Sequence, residues 1–184
     1  IQNTLKDKII EIEKNIGHFV NDLNLMIDTN ESFFVDLSIA KDIDGKIVEK
    51  KDILYLIQNA KQEVLRSYLH SNVVHIVISG YIADNNNYEF FPKNISCKRL
   101  SLDIRFIFLP KKLISNIEDI FNKNQISIKK VICTQYVNSI IETKSNICES
   151  GLKIIQGFNE KEVMMVPKKI EKKGFFERLF HLFR

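Results

Sequence analysis

Glycine is scarce, six residues in 184, and the six are scattered. That excludes a glycine-rich loop cradling phosphates. Cysteine is scarcer: Cys97, Cys133 and Cys148 are odd in number, so they read as buried thiols of a reduced compartment and not as a disulfide framework. The histidines His18, His70, His75 and His181 have no metal-ligand spacing among themselves or with the cysteines. No run approaches the roughly 20 apolar residues of a spanning helix. The first segment alternates charges with isolated apolar residues, unlike a signal peptide. The chain opens on Ile1 and not Met, as a fragment or an unusual start would.

What is present fits a folded protein. With 45% hydrophobic and 27% charged residues, the composition argues against disorder, and the length suits one well-buried core. Charge is uneven. Residues 168–184 carry six basic and two acidic side chains, a surplus equal to the whole chain's +4, so the rest is neutral. A neutral body with a basic tail points to an anionic surface as the tail's target.

Leu5, Ile9, Ile12 and Ile16 fall at helical spacing over 4–16, and Gly17 is the stop signal. Alternation predicts strands around Leu23–Ile27 and Val35–Ile39. Asp44-Gly45 marks a turn. Asp52 is placed to cap a helix whose face holds Ile53, Ile57, Ala60, Val64 and Tyr68. Residues 73–83 are apolar on both faces, as a central strand is, and Asn85–Asn87 read as a loop. Over 100–108, Leu100, Leu102, Ile104, Phe106 and Phe108 face one way; Ser101, Asp103 and Arg105 face the other. Pro110 ends that strand. A helix with Leu113, Ile117 and Ile120 follows, then a strand at 128–134 and a helix at 136–147. These mixed elements predict an α+β fold with helices on one face of a mostly antiparallel sheet. The predicted organisation is a domain over 1–150, a linker over 151–173 holding Pro167, and an amphipathic helix over 174–184.

In that last helix Phe175, Phe176, Leu179, Phe180, Leu182 and Phe183 share an arc of about 160°. Glu177, Arg178, His181 and Arg184 occupy the rest. So short a helix is marginal alone in water and needs a surface. Each fully buried Phe or Leu contributes roughly 1.5–3 kcal/mol. With Lys172, Lys173, Arg178 and Arg184 beside it, the helix is expected to lie in the interface of an anionic membrane. The competing reading is packing on the domain's own core. Nucleic acid is not expected, because the tail lacks a wide basic face.

Candidates for catalysis are few. His75 on a central strand is expected to be a satisfied core histidine and not a ligand. Asp84 beside three asparagines reads as a turn former. Asp103 reads as an exposed strand residue next to Arg105. Lys98 and Arg99 suit ion pairs or a solvated surface. No catalytic residue, metal or cofactor is expected.

Residues 75–84 (HIVISGYIAD) and 92–100 (PKNISCKRL) resemble two motifs of FtsA, the actin-like bacterial cell-division family: a His-x-(Ile/Val)-x-x-x-Tyr-x-(Ile/Val)-Asp stretch and a Pro-x-Gly-Met-Ser-Gly-x-Arg-Leu loop. The family loop's glycines are Asn94 and Cys97 here. Asp44-Gly45-Lys46-Ile47 with Asp52, the strand 100–108 and the segment 126–141 resemble its neighbouring elements. Gly174-Phe175-Phe176-Glu177-Arg178-Leu179 is similar to its membrane-targeting sequence. The likeness covers about residues 5–150, the SHS2-type subdomain called 1C. The likeness extends neither to the family's nucleotide-binding subdomains nor to the 2B subdomain that binds FtsZ in the family, so a truncated or degenerate member is expected.

The resemblance implies a membrane-tethered, non-catalytic adaptor of cell division at the cytoplasmic face of the inner membrane, at the division site. Expected partners are anionic lipids and other division proteins or FtsA-like subunits, without direct FtsZ binding. Tyr81, Asp84, Pro92, Lys98 and Arg99 are the implied protein-contact residues, and the loop 84–99 and the edge of the sheet are the implied contact surfaces. The alternatives are a decaying remnant of the same family and another SHS2-type module, such as a pilus-assembly relative.

Overall fold

The computed structural model describes residues 2–141 and 146–163. Helix α1 (Gln2–Ile16) ends at Gly17, whose φ of 75° suits glycine. Strands β1 (Asp22–Ile27) and β2 (Phe33–Asp42) follow. Asp44 and Gly45 then turn the chain with φ of 54° and 76°. Helix α2 (Lys50–Ser67) opens with a capping box in which the Glu49 N–H donates to Asp52 Oδ2 at 3.1 Å. Glu49 is therefore the cap, and Asp52, expected in that role, sits inside the first turn. Next come β3 (Ser71–Ala83), β4 (Asn86–Tyr88), β5 (Arg99–Pro110) and α3 (Lys111–Asn122). The described chain closes with β6 (Ser127–Cys133), α4 (Thr134–Ile140) and α5 (Ile147–Ile155).

The fold is α+β. One sheet has the order β2-β5-β3-β4, antiparallel throughout; β1 and β6 pair in parallel beside it. Leu100, Leu102, Ile104, Phe106 and Phe108 form one buried row of β5 against Ile53, Leu56, Ile57, Ala60 and Val64 of α2. At the end of the same strand Ile107 and Leu109 point the opposite way. They join a second core with Ile27, Ile114, Ile132, Val137 and Ile154. The helices thus divide between both faces instead of sharing one, because β5 is apolar on both sides over its last residues.

Three local expectations change. Asn86 and Asn87 pair with Ala83 and Ile82 as a short hairpin strand and not a loop. The helix expected at 136–147 is shorter and ends at Ile140, and α5 opens separately at Ile147. Residues 151–163, expected to open a linker, belong to the fold, since α5 runs through Gly151 to Ile155. Gly151 is not a helix stop: a Cβ there would lie 3.2 Å from Met26 Sδ, so glycine lets the helix approach β1. Residues 161–163 then lie along β3. The Ile78 N–H donates to the Lys161 carbonyl at 2.9 Å and the Val163 N–H to the Ile76 carbonyl at 2.8 Å. Residues 164–173 and the C-terminal segment lie outside the described residues.

Candidate functional site

The implied contact residues have different fates. Tyr81 is half-buried on β3, packed edge-on against Phe91 at 6.2 Å between ring centres. Burial pushes its hydroxyl pKa up. Asp84 takes a left-handed φ of 52°, and its Oδ1 accepts from the Lys98 and Arg99 N–H groups, both at 3.0 Å. It is a loop clasp, in keeping with a turn former. Pro92 is buried and belongs to the packing of the loop. Lys98 and Arg99 are exposed, and Arg99 reaches Asp42 at 3.5 Å. Of the two positions where the family loop has glycine, Asn94 is left-handed at φ 58° and Cys97 is not. Cys97 is 3% exposed and pairs with the 45–46 turn through its backbone. The geometry brings Asp84, Lys98 and Arg99 together at one loop and leaves Tyr81 on the sheet.

The sheet edge is more informative. Along β3, residues 161–163 and β4 occupy the outer side, so that edge is largely taken. Strand β2 pairs with β5 alone, and its ten residues present a free edge among the described residues. Its polar face carries cross-strand pairs. The Arg105 Nε and Nη2 donate to the two oxygens of Asp36 at 2.7 and 2.8 Å. Ser38 donates to Asp103. Arg105 therefore partners Asp36, not its chain neighbour Asp103. The Arg105 hydrogen bond, more than the charge alone, holds the Asp36 carboxyl below the usual range.

At the start of β2 lies a cleft of about 230 Å³, lined by Ser32, Phe33, Phe34, Gln135, Tyr136 and Arg105. Phe34 is 63% exposed, with the Arg105 guanidinium 4.7 Å from its ring centre. A free strand edge running into a cleft with an aromatic wall and a guanidinium is equipped to hold an extended peptide.

Behind the cleft is a buried polar cluster. His75 is fully buried on β3. Its Nε2 accepts the Cys133 N–H at 3.0 Å, so the ring proton sits on Nδ1, which donates to Glu162 Oε1 at 2.8 Å. The Tyr136 hydroxyl donates to Glu162 Oε2 at 2.8 Å and accepts from Asn159 Nδ2 at 2.9 Å. Burial holds the His75 pKa down and keeps the ring neutral, against the pull of Glu162. Burial also raises the Glu162 pKa, but the bonds from His75 and Tyr136 and the Lys130 charge outweigh it and leave a carboxylate. His75 is thus the satisfied core histidine its strand position predicts. Glu162 was missed because it lies in the segment read as linker; an acidic residue followed by Val163 was its only signal.

The membrane-directed residues Lys172, Lys173, Phe175, Phe176, Arg178, Leu179, Phe180, Leu182, Phe183 and Arg184 lie outside the described residues. Among the described residues no helix is long and apolar enough to cross a membrane, and no three His, Cys, Asp or Glu side chains gather as a metal site. Comparison with protein families and with characterised proteins finds no match for the chain.

Proposed function

We propose that the chain is a membrane-tethered, non-catalytic adaptor of bacterial cell division that holds an extended peptide segment of another division protein. The free β2 edge ending in the Phe34–Arg105 cleft carries this reading. Backbone groups of the edge supply affinity for any extended chain. The cleft supplies selectivity for an apolar side chain followed by a group that accepts from Arg105. Asp36, Lys41 and Asp42 on the same strand discourage indiscriminate strand pairing. The basic, phenylalanine-rich tail supports attachment to anionic lipid at the cytoplasmic face.

Flotation of the intact chain with phosphatidylglycerol vesicles tests the tether. The protein is expected to float, and the double change Phe176→Glu, Phe180→Glu to leave it in the buffer. Phe34→Glu, at the cleft, is expected to float normally while the protein no longer gathers at the division site. Wild-type protein that stays with the buffer would overturn the tether. Division-site recruitment unaffected by Phe34→Glu would overturn the peptide site.

A further inference from the structure

Helix α1 joins neither core of the molecule, and of its apolar stripe only Leu5 and Ile9 are even half-buried. No described residue from Leu5 to Ile16 is buried. Yet its sequence is that of a helix meant to be covered. Leu5, Ile9, Ile12 and Ile16 are spaced four, three and four residues apart and share an arc of about 60°. Ile12 and Ile16 are 49% and 46% exposed. A helix of 15 residues is marginal in water without packing on that stripe.

We propose that the stripe is covered by α1 of a second copy of this chain, running antiparallel. The four apolar residues occupy alternating core positions of two heptads, and reversing one helix against its copy matches Leu5 with Ile16 and Ile9 with Ile12. The flanks agree. On one side of the stripe stand Lys6 and Glu13, and the same reversal sets Lys6 against Glu13 of the second copy, twice by symmetry. On the other side Lys8 meets Asn15, so no like charges face each other. Lys8 is already held by Glu11 at 2.7 Å, whereas Lys6 has no hydrogen-bond or ion-pair partner among the described residues. Glu13 has one oxygen on the Val20 N–H at 2.9 Å and keeps the other for a cation. Charge complementarity therefore favours a second copy as occupant, with Lys6 and Glu13 setting the direction.

Sedimentation equilibrium of the full chain tests this. A reversible dimer is expected. Ile9→Asp with Ile12→Asp is expected to leave a monomer whose thermal midpoint is that of the wild-type monomer, because neither residue is in a core. Lys6→Glu is expected to weaken the dimer about tenfold, since two pairs turn repulsive. Adding Glu13→Lys to it is expected to recover most of that loss. A chain that is monomeric at every soluble concentration overturns the proposal. So does a dimer indifferent to the Ile9/Ile12 change, or a charge-swapped double variant no tighter than Lys6→Glu alone.

Discussion

The two cores of this domain are built on different chemistry. The core under α2 is held by alternation alone: five β5 side chains in a row, each 1% exposed or less, meet one helix face. The core on the other face joins β1, β6, α3, α4 and α5 to the end of the sheet, and beside it sits the carboxylate–imidazole–phenol cluster of Glu162, His75 and Tyr136. Packing is non-directional and tolerates adjustment; a hydrogen-bonded cluster fixes one arrangement and leaves costly orphans when a member is lost. The first core gives the domain its stability, and the second fixes how the late segments are laid onto it.

Phe106→Ala is the most damaging change available to the first core. The ring is fully buried at its centre, and removing it leaves a cavity the surrounding strands cannot close. The expected cost is about 4 kcal/mol, read as a fall of roughly 10 °C in the thermal midpoint. A loss under about 1 kcal/mol would mean that this core is not the principal one.

This core was also the part most legible in the sequence. The period-two run at 100–108 and the face of Ile53, Ile57, Ala60 and Val64 declared themselves because each lies within one element. Asp44-Gly45 and Gly17 were legible as backbone punctuation for the same reason. The second core was not. His75, Cys133, Tyr136 and Glu162 meet from four separate elements, and no local pattern announces that meeting. Parallel pairing of β1 with β6 joins strands about a hundred residues apart, and the nine residues of α5 are too few to show helical period around a glycine. Of the candidate site, Asp84 as a turn former was legible; its clasp on the Lys98 and Arg99 N–H groups was not, nor which strand, β2, carries the free edge. Nor was the cleft, because Phe34 and Arg105 become neighbours only through the β2–β5 register.

Glu162→Ala breaks the second arrangement while sparing the first. His75 and Tyr136 lose their shared acceptor, at an expected cost of about 2 kcal/mol. Amide exchange should accelerate at Ile78 and Val163, whose N–H groups bond to or from residues 161–163, and much less at Leu102. Acid should do the same gradually. The His75 pKa is lowered by burial, so the unfolded chain binds that proton first and stability falls once pH drops below about 6.5. The Glu162 pKa is lowered too, so a further loss sets in below about 4.5. If Leu102 and Val163 amides open together across that range, the two cores form one cooperative unit and the distinction fails.

The smallest expected effect is at Gly151, where the second core could be improved. In mid-helix, alanine is favoured over glycine by about 1 kcal/mol. Against that, the new Cβ would sit 3.2 Å from Met26 Sδ, so Met26 must give way by a few tenths of an ångström. Met26 is half-buried and unbranched, and a thioether re-packs at little cost. Gly151→Ala is therefore expected to stabilise by about 0.5 kcal/mol, whereas Gly151→Val, with two further carbons aimed at the same sulfur, should destabilise by more than about 1 kcal/mol. Urea titrations of the two variants check the sign. Should alanine destabilise as valine does, Met26 is held rigidly, and the second core is packed as tightly as the first.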